Sequence, residues 1–177
     1  MQFKKFDPRL LKSAVFGAND GIITTFAVVA GVSGAGLSAN IILILGIANM
    51  IADGISMGLG DYLGERSEQR LREKRSGSSM TQGLWRTGLV TFIAFIVAGS
   101  MPLLPYFLRF LGISIPEQYQ FRLSIIATIL TLFFVGSLRT ILTDGTWWKN
   151  GLEMLGIGAI AATAAYLLGA GVEILIR

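Results

Sequence analysis

The stretch NMIADGISMGLGDYLGE, residues 49–65, places acidic side chains in a segment that is otherwise apolar enough for a lipid bilayer. At about 3.6 residues per helical turn, five of its side chains follow one another on one slowly winding stripe: Asn49, Asp53, Met57, Asp61 and Glu65. The preceding run, NIILILGIANMIA, belongs in hydrocarbon. An ionisable group at that depth is costly unless it is paired, protonated or hydrated, so the stripe predicts a functional site.

The opposite side of the same helix predicts packing against other helices. Gly54 and Gly58 form a small-xxx-small pair that allows another helix to come close. Ile51, Ile55 and Leu59 are the side chains that we expect to pack around this pair.

An earlier segment, VFGANDGIITTF, carries a second pair of glycines. Gly17 and Gly21 frame Asn19 and Asp20 in a GxxxG arrangement, which permits close backbone approach. If the partner is the same helix of a second subunit, the two copies of Asp20 lie near a common axis.

The composition indicates an all-α, polytopic membrane protein with one domain. Of the 177 residues, 53% are hydrophobic and 15% are charged, whereas about a quarter of the residues in a soluble domain are charged. The apolar residues come in blocks of about 20, the length that a helix needs to cross about 30 Å of hydrocarbon.

The absence of two residue types excludes several kinds of chemistry. The chain has no Cys and no His, so disulfides, thiolate chemistry, Cys/His zinc sites and imidazole proton relays are excluded. It also has no phosphate-binding loop and no nucleophile elbow, so we do not expect an enzyme. The net charge of +4 comes from bases that flank apolar runs, which does not indicate a nucleic-acid partner.

Five spans are predicted, joined by short connections except after the second. The connection 65–82 is polar and basic; we expect it to extend the second helix and to break at SGSS, while the third helix should end at Pro102 and Pro105. The predicted helices cover about residues 14–37, 41–63, 84–104, 121–142 and 151–176.

The basic residues predict the orientation in the membrane. One side holds Lys4, Lys5, Arg9, Lys12, Arg66, Arg70, Arg72, Lys74, Arg75, Arg86, Arg139 and Lys149. The other side holds only Arg109, Arg122 and Arg177. The positive-inside rule therefore places the N-terminus in the cytoplasm and the C-terminus outside.

Counting along the two antiparallel helices predicts a ladder of polar groups. At about 1.5 Å per residue, Asp20 and Met57 both lie roughly 9 Å into the membrane and are therefore level. Asp53 lies about one turn deeper, and Asp61 about one turn shallower, with Glu65 at the entrance.

The ligand types point to a divalent transition metal. Carboxylate oxygen suits Mg²⁺, Ca²⁺ or Mn²⁺, whereas a thioether favours softer ions. Asp20 with Met57 therefore suggests Fe²⁺, with Mn²⁺, Co²⁺ or Zn²⁺ as further candidates. The ion would be a transported substrate, and no tightly bound cofactor is expected.

The chain resembles the vacuolar iron transporter family, which includes yeast vacuolar carriers and plant nodulin-like proteins. The resemblance is carried by GANDGIITTFAVVAGVSGAGLS and ANMIADGISMGLGDYLGERSE, and further by PLLPY and LEMLGIGAIAATAAYLLG. It implies a five-helix homodimer that moves Fe²⁺ or Mn²⁺ out of the cytosol in exchange for protons, along a path between subunits. By motif position, the family's pore aspartate and methionine fall on Asp20 and Met57.

The chain departs from this family in the connection 65–82. Eukaryotic members carry a cytoplasmic metal-binding domain there, rich in Glu and Met, whereas here Glu68 and Glu73 are outnumbered by arginines. This predicts a minimal form, in the plasma membrane of a bacterium or archaeon.

Each candidate ligand has a structural alternative. Asp20 could be satisfied by Asn19, Thr24 or a backbone amide; Asp61 could be solvated; Met57 could fill a core. Glu65 could cap or pair with the basic extension, and Glu153, suggested by the resemblance, could instead pair with Lys149.

Two other functions remain open at this point. A passive cation channel would use the same ladder as rings of acidic groups. A membrane assembly module would use the polar residues only to hold helices together.

Overall fold

The computed structural model describes residues 7–77, 83–113, 115–141 and 145–176. Residues 78–82 of the predicted connection, and Lys4, Lys5 and Arg177 of the topology argument, lie outside these ranges. Within the described ranges there are five long α-helices and no strand: α1 Pro8–Gly34, α2 Ala39–Ser76, α3 Trp85–Phe107, α4 Glu117–Leu138 and α5 Trp147–Ile176. All five are long and apolar enough to cross a membrane, which confirms the predicted all-α membrane fold.

The helices extend beyond the apolar runs from which they were predicted. α1 begins at Pro8, because the Asp7 carboxylate accepts a hydrogen bond of 3.0 Å from the backbone N–H of Arg9 and caps the helix. α2 continues to Ser76 and ends at Gly77, whose φ of 64° is the left-handed conformation that closes many helices. The first part of the basic connection is therefore helical.

The prediction that α3 ends at Pro102 and Pro105 is wrong, because the helix continues through both residues to Phe107. Proline removes backbone hydrogen bonds, but membrane-spanning helices tolerate it. The buried hydroxyl of Ser124 on α4 donates to the carbonyl of Pro102, at 2.6 Å, and links α4 to this part of α3.

α1 lies at the centre of the bundle and packs against the four other helices, which follow one another around it in chain order. In the described part of the chain α2 and α5 are not neighbours, so part of α1 stays uncovered between them. Its uncovered side carries Phe16, which is 56% exposed, with the half-buried Asp20 and Ala27. These three residues lie within about 40° of one another around the helix axis, and we call this side the open face of α1.

The glycine pairs of α1 and α2 are both used against α3 of the same chain. A Cβ on Gly17 or Gly21 would collide with the carbonyl oxygen of Thr91 or Phe95, and one on Gly58 would lie 2.8 Å from the carbonyl oxygen of Gly88. The GxxxG pair therefore joins α1 to α3, and it is not available for the same helix of a second subunit.

The apolar side chains expected to pack around Gly54 and Gly58 are only partly covered within this chain. Ile51, Ile55 and Leu59 are between 42% and 58% exposed. In a bilayer, apolar surface gains little from helix contact, so small residues that allow close backbone approach decide which face packs.

Candidate functional site

Asp20 lies on the open face of α1, about three turns from the end at which the helix begins. The hydroxyl of Thr24 donates to the backbone carbonyl of Asp20, at 2.8 Å, and so does not satisfy its carboxylate. Within the described residues no hydrogen-bond donor reaches that carboxylate, whose environment is set by burial and by the charge of Asp53. The structural alternative in which Thr24 satisfies Asp20 is therefore wrong.

Asn19 does not satisfy Asp20 either. Its side-chain oxygen is buried and, in the part of the chain described, accepts no hydrogen bond. Such an orphaned acceptor is rare and costly in a folded protein. Asn19 thus adds an unpaired carbonyl oxygen next to the unpaired carboxylate of Asp20.

Asp53 is the second carboxylate at this depth. The side-chain amide of Asn49, one turn earlier on α2, donates to its carboxylate at 2.7 Å. The charges of Asp53 and Asp20 act on each other, so α1 and α2 bring two acidic groups to one region. Since both residues lie in membrane-spanning helices, this is an expensive arrangement that packing alone does not explain.

The axial register of α1 and α2 differs from the register predicted by counting. The hydroxyl of Ser13 donates to the carboxylate of Asp61 at 2.7 Å, which makes these two residues level. Counting inwards from this pair along antiparallel helices places Asp20 level with Gly54, next to Asp53. Met57 is then displaced by about 4.5 Å from the level of Asp20, given a rise of about 1.5 Å per residue.

Asp61 is held by hydroxyl groups from two other helices. Its Oδ2 atom accepts hydrogen bonds from Ser13 of α1 and from Thr91 of α3, both at 2.7 Å. Both hydroxyl-bearing residues are buried. The alternative in which Asp61 is simply solvated is therefore wrong, because its Oδ2 atom is bonded to protein hydroxyl groups.

The two outer candidates, Glu65 and Glu153, lie near arginines. Glu65 is half-buried one turn beyond Asp61 and acts electrostatically on Arg9. Glu153 forms an ion pair with Arg139 at 3.0 Å. The alternative pairing of Glu153 with Lys149 is wrong, because the Lys149 ammonium lies over the ring of Trp148, at 5.5 Å from its centre.

A row of small residues on α2 borders the polar stripe and was not recognised from the sequence. Each member immediately precedes one residue of the stripe, and all five are exposed: Ala48, Ala52, Ser56, Gly60 and Gly64. We call them the small row of α2. Nothing within 4 Å would meet a Cβ placed on Gly60 or Gly64, so no part of the described chain packs there.

The described acids of one chain do not form a cluster of three. Among the described residues, no three acidic side chains come close enough together to hold an ion. One chain brings together the carboxylates of Asp20 and Asp53 near the open face of α1. The thioether of Met57 lies one turn from Asp53 on α2, and the amide of Asn49 is bonded to Asp53.

Five spanning helices with acidic groups at membrane depth define the class of integral membrane proteins that handle ions. The chain belongs to the VIT family, whose model matches residues 11–82 and 74–170. A vacuolar iron transporter of Toxoplasma gondii is 26% identical over 94% of this chain and 75% of its own length. Vacuolar iron transporter 1 of Arabidopsis thaliana is 27% identical, over 93% of this chain and 86% of its own. Protein CCC1 of Saccharomyces cerevisiae is also 27% identical, over 93% of this chain and 69% of its own length.

The alignments are consistent with a minimal member of this family. The region aligned with the Arabidopsis protein spans 222 residues, which exceeds the 177 residues of the whole chain. The relative therefore has residues inside the aligned region that this chain lacks. The two segments matched by the family model meet at residues 74–82, where α2 gives way to the connection before α3.

Proposed function

We propose that this chain exports a divalent transition metal, Fe²⁺ and also Mn²⁺, from the cytosol in exchange for protons, through a path between two identical subunits. The observation that carries this proposal is the pairing of Asp20 with Asp53 beside the open face of α1. Two carboxylates on different helices, at membrane depth and with no basic partner among the described residues, suit a cation that arrives and leaves.

In this proposal a second copy of the chain packs against the open face of α1. A carboxylate that faces hydrocarbon is unfavourable, so the open face requires a polar or protein neighbour. The small row of α2 lies directly beside it and allows a close helix–helix approach between copies. A twofold axis along this row would bring both copies of Asp20 and Asp53 to one passage and supply the further ligands that one chain lacks.

The proposed ligands are Asp20, Asp53 and Met57, with the amide of Asn49 orienting Asp53. A thioether among carboxylates favours Fe²⁺ over Ca²⁺ or Mg²⁺ and admits Mn²⁺, Co²⁺ and Zn²⁺. Glu65 and Glu153 lie nearer the ends of their helices than Asp53 and Met57 do, and they would act on the ion at the entrance.

Proton exchange follows from the chemistry of these ligands. A carboxylate must be deprotonated to hold the metal, so metal binding releases protons and protonation releases metal. The same groups then bind both ions in turn, and antiport needs no separate proton path. The relatives named as iron transporters support iron as the substrate.

We place the start of α1, the end of α2 and the basic connection in the cytoplasm, on the positive-inside rule. The connection between α2 and α3 is short, as expected for a minimal form of the family. We therefore propose that the chain acts in the plasma membrane of a bacterium or archaeon.

The test is transport by the purified protein in proteoliposomes. We expect uptake of Fe²⁺ and Mn²⁺ that requires a pH gradient and moves protons in the opposite direction, with little transport of Ca²⁺. Asp20→Asn should abolish uptake without changing the oligomeric state. Glu68→Gln is the matched control, because Glu68 is an exposed acid that lies beyond the membrane part of α2.

Two outcomes would contradict the proposal. Flux that follows voltage and the ion gradient alone, without proton movement, would indicate a channel. Absence of any metal flux would indicate an assembly module.

A further inference from the structure

Asp61 differs from the other acids of the α2 stripe in its contacts. One carboxylate oxygen, Oδ2, accepts two short hydrogen bonds, from Ser13 of α1 and Thr91 of α3, both at 2.7 Å. Asp53 instead accepts from Asn49 on its own helix, and Asp20 accepts from no described donor. Asp61 is thus the acid through which α2 is bonded to two other helices.

The two hydroxyl donors belong to a fixed part of the bundle. Gly17, one turn beyond Ser13, abuts the backbone of Thr91, so α1 and α3 are in direct backbone contact at this level. The Ser13 and Thr91 side chains are 4% and 0% exposed. Their hydroxyl groups are held in place by this packing and have no bulk water as an alternative partner.

The bonds at Asp61 therefore fasten α2 to a rigid pair of helices. Hydrogen bonds from a hydroxyl to a carboxylate are short and stronger than neutral ones, more so away from water. Met57 and Asp53 lie one and two turns deeper on the same helix, so they move with α2 when the bonds at Asp61 are released.

We propose that Asp61 is a positioning residue: it sets the separation of α1 and α2 at the end of the bundle where α1 begins, and it does not bind the metal. Release and re-formation of its bonds to Ser13 and Thr91 would let α2 move against α1 and α3 during the transport cycle. This assignment rests on the proposed transport function for its kinetic consequence, but the bonds themselves can be tested without transport.

The first experiment is a double-mutant cycle on thermal stability in detergent, using Asp61→Ala and the pair Ser13→Ala with Thr91→Val. We expect each change to lower Tm and the combination to add little, because both remove the same bonds. Thr131→Val is the control: its hydroxyl bonds only to a carbonyl of its own helix, and its effect should add fully to that of Asp61→Ala. Full additivity of the Asp61 and hydroxyl variants would overturn the assignment.

The second experiment separates positioning from ligation by kinetics. In Mn²⁺ transport by proteoliposomes, Asp61→Ala and the Ser13/Thr91 variant should both lower the maximal rate, by about tenfold if one charge-assisted hydrogen bond limits the cycle, with KM unchanged. Asp61→Asn should restore most of the rate, because its amide oxygen still accepts both hydroxyls.

Three results would overturn the proposal: a raised KM or weaker Mn²⁺ binding in Asp61→Ala, full activity in the hydroxyl variant, or Asp61→Asn as inactive as Asp61→Ala. If Asp61→Ala does not fold, the hydroxyl variant, which keeps the backbone contact of Gly17 with Thr91, carries the kinetic test, and its Tm reports the loss of the two bonds. Failure of the transport proposal is distinguishable, because the unmodified protein would then move no metal while the stability cycle still reports coupling.

Discussion

Gly31 of α1 and Gly169 of α5 lie in backbone contact, such that a Cβ on Gly169 would collide with the carbonyl oxygen of Gly31. Nearby, a Cβ on Gly34 would collide with the carbonyl oxygen of Tyr166. α5 therefore crosses directly over α1 near the end of α1, whereas Phe16 and Asp20 remain uncovered nearer its start. Within the chain, α5 therefore covers this side of α1 only near the C-terminal end of α1.

This crossing predicts a sharp difference between two glycines on α5. Gly169→Ala should lower Tm in detergent, because the added carbon meets backbone that cannot rotate away; overpacking of this kind costs about 1–3 kcal/mol. Gly171→Ala is the matched control, since nothing lies within 4 Å of its Cβ position. It should leave Tm unchanged or raise it slightly, because Ala favours helix over Gly. Equal Tm values for the two variants would contradict the crossing.

The small row of α2 predicts where the subunits meet. Gly60→Leu should convert the proposed dimer to monomers, because a large side chain prevents close helix approach, while helix content by circular dichroism stays unchanged. Light scattering coupled to size exclusion measures the mass. Gly171→Leu adds the same bulk at an uncrowded position of α5 and should remain dimeric. A dimer that survives Gly60→Leu would place the interface elsewhere.

The hydrogen bond between Asn49 and Asp53 predicts a change in metal affinity. Asn49→Ala removes the donor that orients the Asp53 carboxylate, and loss of such a supporting partner weakens metal sites about 10–100-fold. We expect a higher KM for Mn²⁺ transport and weaker equilibrium binding, with an unchanged dimer.

Thr24→Val is the control for this measurement. Its hydroxyl donates to the backbone carbonyl of Asp20 and not to the carboxylate, so KM should stay at the value of the unmodified protein. A KM that rises in Thr24→Val, but not in Asn49→Ala, would show that the Asn49–Asp53 bond does not support the site.

The cap of α1 predicts a pH dependence at its first turn. Hydrogen bonds from the Arg9 side chain and backbone lower the pKa of Asp7 below its ordinary value of 3.8. A group whose pKa is lowered by folding contributes stability above its unfolded pKa, and that contribution is lost as the pH falls through the folded value. Amide exchange in the first turn should therefore be faster in Asp7→Asn than in the unmodified protein at pH 7. The difference should shrink as the pH falls below about 3.8 and should disappear below the lowered pKa of folded Asp7. A difference that persists unchanged at lower pH would exclude the charge of Asp7 as its cause.

Some features of the site follow from local sequence. The stripe from Asn49 to Glu65 is a consequence of helical periodicity, and the Asn49–Asp53 bond joins residues one turn apart. Other features were outside the reach of such reasoning. The small row of α2 has a sequence signal, the spacing by four of Ala, Ser and Gly, but this signal is weaker than that of the paired glycines and does not say which helix covers the row.

The sequence by itself determined that the chain crosses a membrane five times, that any metal it binds must be held by oxygen and thioether groups, and that acids lie within the spans. Hydropathy, composition and a period of 3.6 residues are local properties, so they need no knowledge of neighbours. Only the tertiary structure decided that Gly17 and Gly21 meet α3, that Asp20 is level with Gly54 rather than Met57, and that Asp61 is bonded to Ser13 and Thr91. The physical reason is that periodicity defines what each helix face carries, whereas the partner and axial offset of that face are fixed by close packing between small residues and by a few interhelical hydrogen bonds.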